Sequence, residues 1–168
     1  MNSGYSKQQG FSLIEVLVSA FVMAVGVLGV LSMQLSSLSN NRGALYRSQA
    51  NFMAMDIIDR MRSNPAGVDA GRYNAIDTGV VTGATALKAC ITSANGCSTD
   101  DLAANDIIEW TNLFAPGVTP IPAATGSVTY SAATDEFTVT VLWSEVGWDS
   151  ANTVQANLNR GFTTVVKL

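Results

Sequence analysis

One carboxylate stands out by its position in the sequence. Glu15 is followed by a stretch without any charge up to Asn41, and the residues from Phe11 to Met33 are mostly apolar. A charge among lipid tails costs roughly 3 kcal/mol even on lenient insertion scales, so an acid in such a segment indicates a function and a partner. We therefore treat Glu15 as the first candidate functional residue.

The other residue types exclude several classes of chemistry. The chain has no histidine, which removes the commonest general base and the commonest zinc ligand. It contains neither a Gly-x-Ser-x-Gly turn nor a phosphate-binding loop. Thirteen acids against nine bases leave no basic stripe for nucleic acid. We expect no enzyme activity, no cofactor, no metal site and no nucleic-acid partner.

Cys90 and Cys97 are the only cysteines. Two thiols cannot supply the four ligands of a structural zinc site, whereas a close pair in an exported chain favours a disulfide. The Asn95-Gly96 turn between them brings the sulfurs together. Because the spacing is not Cys-x-x-Cys, we expect a structural disulfide rather than a redox site.

The apolar segment that follows Glu15 is suited to a lipid bilayer. Phe11 to Met33 matches the ~20 residues that a spanning helix needs. Lys7 and the α-amine precede it without any acid, which favours an N-in orientation with the rest of the chain outside the cytoplasm. A cleaved secretory signal ending near Gly26 is the rival interpretation. Glu15 inside the apolar region and further apolar residues after Gly26 argue against it.

The residues around Glu15 form an ordered motif. The sequence GFSLIEVLV, from Gly10 to Val18, resembles the class III signal of type IV prepilins and type II secretion pseudopilins. The resemblance implies that a prepilin peptidase cuts between Gly10 and Phe11 and N-methylates Phe11. It also implies that residues 1–10 are a leader peptide and that the helix stays attached.

Cleavage would give Glu15 a partner. The new α-amine on Phe11 is positive near neutral pH, and a carboxylate four helical residues later lies on the same face. In the family that Glu pairs with the terminal amine of a neighbouring subunit during assembly. The alternative is that Glu15 only benefits from the helix dipole in the first turn.

One helix is predicted from Phe11 to Ser63, where Pro65 stops it. Its first half, 11–33, would lie in the membrane or the filament core, and its amphipathic half, 34–64, would pack under a head. Gly26 and Gly29 are compatible either with close helix packing or with a soft point in the helix. The apolar stripe predicted to face the head consists of residues at helical spacing: Leu31, Leu35, Leu38, Leu45, Phe52, Met53, Ile57 and Met61.

Residues 65–168 are predicted to form a globular head of α+β class. An irregular connection anchored by Tyr73 and Ile76 leads to a second helix that Ser98 caps. The acids of that helix, Asp100, Asp101, Asp106 and Glu109, are expected on a solvated face. Alternating residues predict strands at 127–131 and 137–143, joined as an antiparallel hairpin, and a closing strand at 162–168. A polar loop is expected at 144–161.

Three stretches of the head resemble minor pilins of the PilV type, the type IV pilus modification proteins. They are Ser48–Pro65, Asp106–Trp110 and Thr138–Trp143. The resemblance implies a pilin-like fold, with a long N-terminal helix packed on a small antiparallel sheet. It further implies a minor pilin that primes or modifies pilus assembly.

The partners implied are the prepilin peptidase, other minor pilins, the major pilin, the inner-membrane assembly platform and the bilayer. The location implied is the inner membrane of a Gram-negative bacterium with a periplasmic head, and then the pilus. A minor pseudopilin of a type II secretion system and a membrane-anchored binding module that does not polymerise are the alternatives.

Overall fold

The structure is a computed structural model that describes residues 12–80, 86–92, 94, 96–149 and 154–168. Its helices are α1 (Leu13–Ser63), α2 (Pro65–Asp69) and α3 (Thr99–Asn112), with a short 3-10 helix at Ala89–Thr92. Its strands are β1 (Ala75–Asp77), β2 (Thr125–Ser131), β3 (Glu136–Asp149) and β4 (Val154–Val166). They form one antiparallel sheet in the order β1-β2-β3-β4. The predicted α+β fold is confirmed.

Helix α1 ends where the sequence predicts. It runs unbroken through Gly26 and Gly29 to Ser63, and Asn64 leaves helical geometry with φ −127°. The Asn64 side chain then accepts a hydrogen bond from the Gly67 N–H at 3.2 Å and caps α2. Pro65 occupies the first turn of α2, where a missing N–H costs nothing.

The chain divides within α1, at Asn41 and Arg42, into two compact units. In the first unit every described side chain is exposed. The second unit, Arg42–Leu168, is called the head below. Its core combines the C-terminal part of α1 with α3 and one face of the sheet, and the buried strand residues alternate as the sequence predicts: Val128, Phe137, Val139, Val141 and Trp143.

Trp110 joins α3 to α1 at the centre of the head. Its side chain is fully buried, and its indole N–H donates to the Met53 carbonyl at 2.8 Å. Phe114 packs edge-on against the ring, with 5.0 Å between ring centroids. Gly126 on β2 lies against both rings, since a Cβ there would come within 2.6 Å of the Trp110 ring.

The predicted apolar stripe of α1 is partly wrong. Leu45 and Phe52 are 52% and 68% exposed, whereas the face buried in the head comprises Ala50, Met53, Ala54, Ile57, Ile58 and Met61. The physical reason is helical pitch. A straight α-helix drifts by about 20° per heptad, so a seven-residue repeat turns away from a face that follows 3.6 residues per turn.

Two predicted loops contain regular structure. Residues 144–161 are mostly strand, because β3 and β4 pair from Phe137↔Val166 to Asp149↔Val154. Alternation was hidden there because both faces of this ribbon carry polar residues. The connection after Pro65 contains α2 and β1, and its predicted anchors Tyr73 and Ile76 are buried.

Candidate functional site

Glu15 lies in the first turn of α1. The Glu15 N–H donates to the Ser12 carbonyl at 3.0 Å, which starts the helix, and the Ser19 hydroxyl donates to the Glu15 carbonyl at 2.7 Å. The first turn of a helix carries partial positive charge, which favours a carboxylate. Gly10 and Phe11, the predicted cleavage and methylation residues, lie outside the described residues.

The surroundings of Glu15 are apolar and uncovered. Leu13, Val16 and Leu17 are 78%, 59% and 57% exposed, and the apolar side chains continue exposed along the helix through Met33. By length and composition this helix is able to cross a membrane. Among the described residues the Glu15 carboxylate has neither a hydrogen bond nor an ion pair.

A second concentration of charge lies in the head, around Arg60. The guanidinium donates to Asp56 at 2.9 Å, to Glu109 at 2.6 Å and to Asp106 at 3.4 Å, and so ties α1 to α3. Burial opposes the charge of Arg60, but the hydrogen bonds to Glu109 and Asp56 outweigh it and raise the pKa of the guanidinium above its usual value. Arg60 is therefore a permanent cationic link between the two helices.

Asp106 also closes a buried chain of hydrogen bonds. The Tyr73 hydroxyl donates to its carboxylate at 2.6 Å, and the Asn64 amide donates to the Tyr73 oxygen at 3.1 Å and to the Thr99 carbonyl at 2.9 Å. Burial and the hydrogen bond to Asp106 raise the pKa of the Tyr73 hydroxyl well above its usual range. The expectation that Asp106 faces solvent is wrong, because these partners compensate its burial.

The predicted disulfide between Cys90 and Cys97 is present. Asn105 on α3 holds the loop: its amide lies 3.6 Å and 3.8 Å from the two sulfurs, and its oxygen accepts from the Lys88 N–H at 2.6 Å. Ser98 caps α3 as predicted, accepting from the Asp101 N–H at 3.1 Å. The bridge therefore fixes the entry to α3.

The acids around Arg60 hold α1 against α3. Within the described residues, no group of three His, Cys, Asp or Glu side chains is arranged to hold a metal ion. Sequence reasoning missed the role of Arg60 in joining α1 to α3. The one local signal for it was the Asp56–Arg60 pair at i, i+4 on a face that also carries Ile57.

The chain combines a folded head with an N-terminal apolar helix that is able to cross a membrane and that carries an acid in its first turn. Residues 5–31 match the prokaryotic N-terminal methylation motif, and residues 32–108 match the family described as type IV pilin Tt1218. The two matches are contiguous, and the chain belongs to the type IV pilin superfamily. No curated protein and no solved structure matches the chain.

Membership has direct consequences. The methylation motif implies processing by a prepilin peptidase and assembly with other pilins. Pilins are structural subunits rather than enzymes. An apolar helix near the N-terminus of a type IV pilin indicates membrane anchoring and association with the pilus.

Proposed function

We propose that this chain is a minor pilin that primes or modifies assembly of a type IV pilus. The peptidase cuts between Gly10 and Phe11 and methylates Phe11, and residues 1–10 leave as the leader. The helix then anchors the subunit in the inner membrane of a Gram-negative bacterium, through residues 11–33, with the amphipathic half 34–64 and the globular part 65–168 in the periplasm. The assembly platform transfers it from there into the filament or its tip, beside other minor pilins and the major pilin.

One observation carries the proposal: an exposed apolar helix holds, in its first turn, a carboxylate that has no hydrogen bond or ion pair among the described residues. The apolar side chains that surround Glu15 need lipid or other helices as cover. The carboxylate needs a cation before it leaves the polar edge of the membrane. The methylated amine of Phe11 on a neighbouring subunit supplies that cation at the required end of the helix.

The minor role is supported by the resemblance of Ser48–Pro65 to PilV-type pilins. In the head this stretch forms the structural junction where Arg60 and Asn64 connect α1 to the rest of the fold. A type II secretion pseudopilin shares the N-terminal motif, and assembly into a surface filament separates the two functions.

The first test is the intact mass of the full chain purified from cell membranes, beside a Gly10→Ala variant. We expect the wild-type chain to begin at methylated Phe11 and the variant to keep its leader. A wild-type chain that still begins at Met1, or that is cut near Gly26, would contradict the proposal.

The second test concerns the charge pair. Glu15→Val is expected to leave cleavage intact and to reduce the amount of subunit in sheared filaments at least tenfold. Ser19→Ala is the matched control, because it lies one turn further along the same exposed helix and carries no charge. Normal incorporation of Glu15→Val would remove the charge-pair mechanism.

A further inference from the structure

The two edges of the head sheet differ greatly in length. One edge is β1, with three residues, and the other is β4, with thirteen. Short edge strands prevent unwanted pairing, whereas a long edge leaves a row of N–H and C=O groups open to another strand. At about 3.3 Å per residue, β4 presents an open edge of about 43 Å.

Strand β4 lacks the usual protection of an edge. It contains no proline, and its only charge is Arg160. The Arg160 guanidinium lies 3.7 Å from Glu145 on β3, and the Thr163 hydroxyl lies 3.1 Å from that of Thr140 on the same strand. The polar contacts of β4 thus point back into its own sheet, and none of its described side chains is buried. The far side of β4 is free of cover in the described head.

Three neighbouring rows of the outer face beside this edge carry no charge. They run across β2, β3 and β4 as Thr129–Thr138–Val165, Ser127–Thr140–Thr163 and Thr125–Leu142–Gly161. Glu136 lies on the same face, one row further along β3. Val165 is 56% exposed and Leu142 is 49% exposed. A strand added beside these three rows would therefore desolvate no unpaired charge.

We propose that β4 accepts an extended strand from a neighbouring pilin of different sequence, which lengthens the head sheet. This inference rests on the proposed function. An open strand edge is satisfied fully by another strand, because only a strand offers donors and acceptors at the same spacing. Every second residue of β4 turns its backbone N–H and C=O away from β3. About a dozen backbone hydrogen bonds are therefore available at this edge, similar to the roughly ten of an ordinary protein interface.

Filament symmetry selects a different chain as the donor. Subunits related by a screw operation meet through two different surfaces, so an edge does not meet its own copy. A second copy of this chain would have to offer another long edge, and the other edge of the described sheet is the three-residue β1. A different pilin is therefore the occupant.

The test places a photo-crosslinking residue at position 163 or 165 of the full chain in piliated cells and maps the adducts by mass spectrometry. We expect both positions to link to one strand of one other pilin, with target residues two apart, as strand pairing requires. The control is position 129, which is exposed on the same face but lies two strands inward, and it should give no adduct. Adducts to a second copy, to lipid or to a protein that is not a pilin, or no adduct at all, would overturn the inference.

A charge on the edge supplies a second readout. Val165→Lys is expected to lower the adduct from position 163 at least tenfold, while Thr129→Lys leaves it unchanged. Equal effects of both variants would refute strand addition. Intact mass separates the two proposals: a chain cut at Phe11 and present in filaments without adducts overturns only strand addition, whereas a chain that keeps Met1 overturns the pilin function as well.

Discussion

Replacing Tyr73 by phenylalanine tests the buried hydrogen-bond chain of the head. The change removes the hydroxyl that donates to Asp106 and accepts from Asn64, and keeps the ring. Asp106 retains Arg60, and Asn64 retains the Thr99 carbonyl, so neither group is left entirely alone. A hydrogen bond to a buried charged group contributes about 1.5–3 kcal/mol. We expect Tyr73→Phe to lower the free energy of unfolding by about 2–3 kcal/mol.

Tyr130→Phe is the matched control. The Tyr130 hydroxyl also donates to an aspartate, Asp135, at 2.9 Å, but this pair is exposed. Substitutions of exposed residues usually change the free energy of unfolding by no more than about 0.5 kcal/mol. Urea unfolding of the full chain in detergent, followed by tryptophan fluorescence, compares the two variants. Equal losses, or a loss below about 1 kcal/mol at Tyr73, would refute the reasoning from burial.

The same residue predicts an alkaline limb of stability. Because the pKa of Tyr73 is raised in the folded head, the unfolded chain loses this proton first, near pH 10. The stabilisation is complete below that pH and falls as the pH rises further. Tyr73→Phe should remove this part of the pH dependence, while Tyr130→Phe, whose hydroxyl is exposed, should retain it.

Three further predictions follow from single contacts. Cys90→Ser with Cys97→Ser should cost about 2.5 kcal/mol of unfolding free energy, from the closed eight-residue loop, and should make stability insensitive to reductant. Gly126→Ala should cost about 1–3 kcal/mol in the same urea assay, because the new methyl group meets two core aromatic rings. The hydrogen bond from Lys167 lowers the pKa of Asp135, so its stabilisation is present above about pH 4 and lost on acidification. In Lys167→Met, NMR titration should find the pKa of Asp135 closer to its ordinary value.

Local signals in the sequence were sufficient for several elements of the head. Pro65 ended α1, Ser98 capped α3, and alternation placed the buried residues of β3. Each of these depends on residues within a few positions, where backbone geometry and side-chain hydrogen bonds decide the outcome. The hairpin turn at 132–135 was predictable for the same reason.

Burial of the polar residues was not predictable, because their partners are distant in sequence. Asp106 bonds to Tyr73 and Arg60, which lie 33 and 46 positions away. An acid on a helix is usually solvated, and only the folded arrangement supplies donors enough to bury Asp106 in the middle of α3. The exposure of Phe52 has a similar origin, since the head selects one face of α1 and a heptad count does not reveal which.

Glu15 and Glu109 are expected to act differently: Glu109 contributes to the stability of the head, and Glu15 contributes to assembly. Glu109 lies 2.6 Å from Arg60 and pairs with it between α1 and α3, so its loss is expected to lower the stability of the head. Glu15 has no such partner among the described residues and lies where the side chains are exposed, so removing it should leave the head as stable as before. A Glu15 variant with normal urea unfolding but impaired filament entry would therefore reflect lost contact between subunits. Impaired entry together with a weakened head would instead point to a folding defect and would argue against the proposed charge pair.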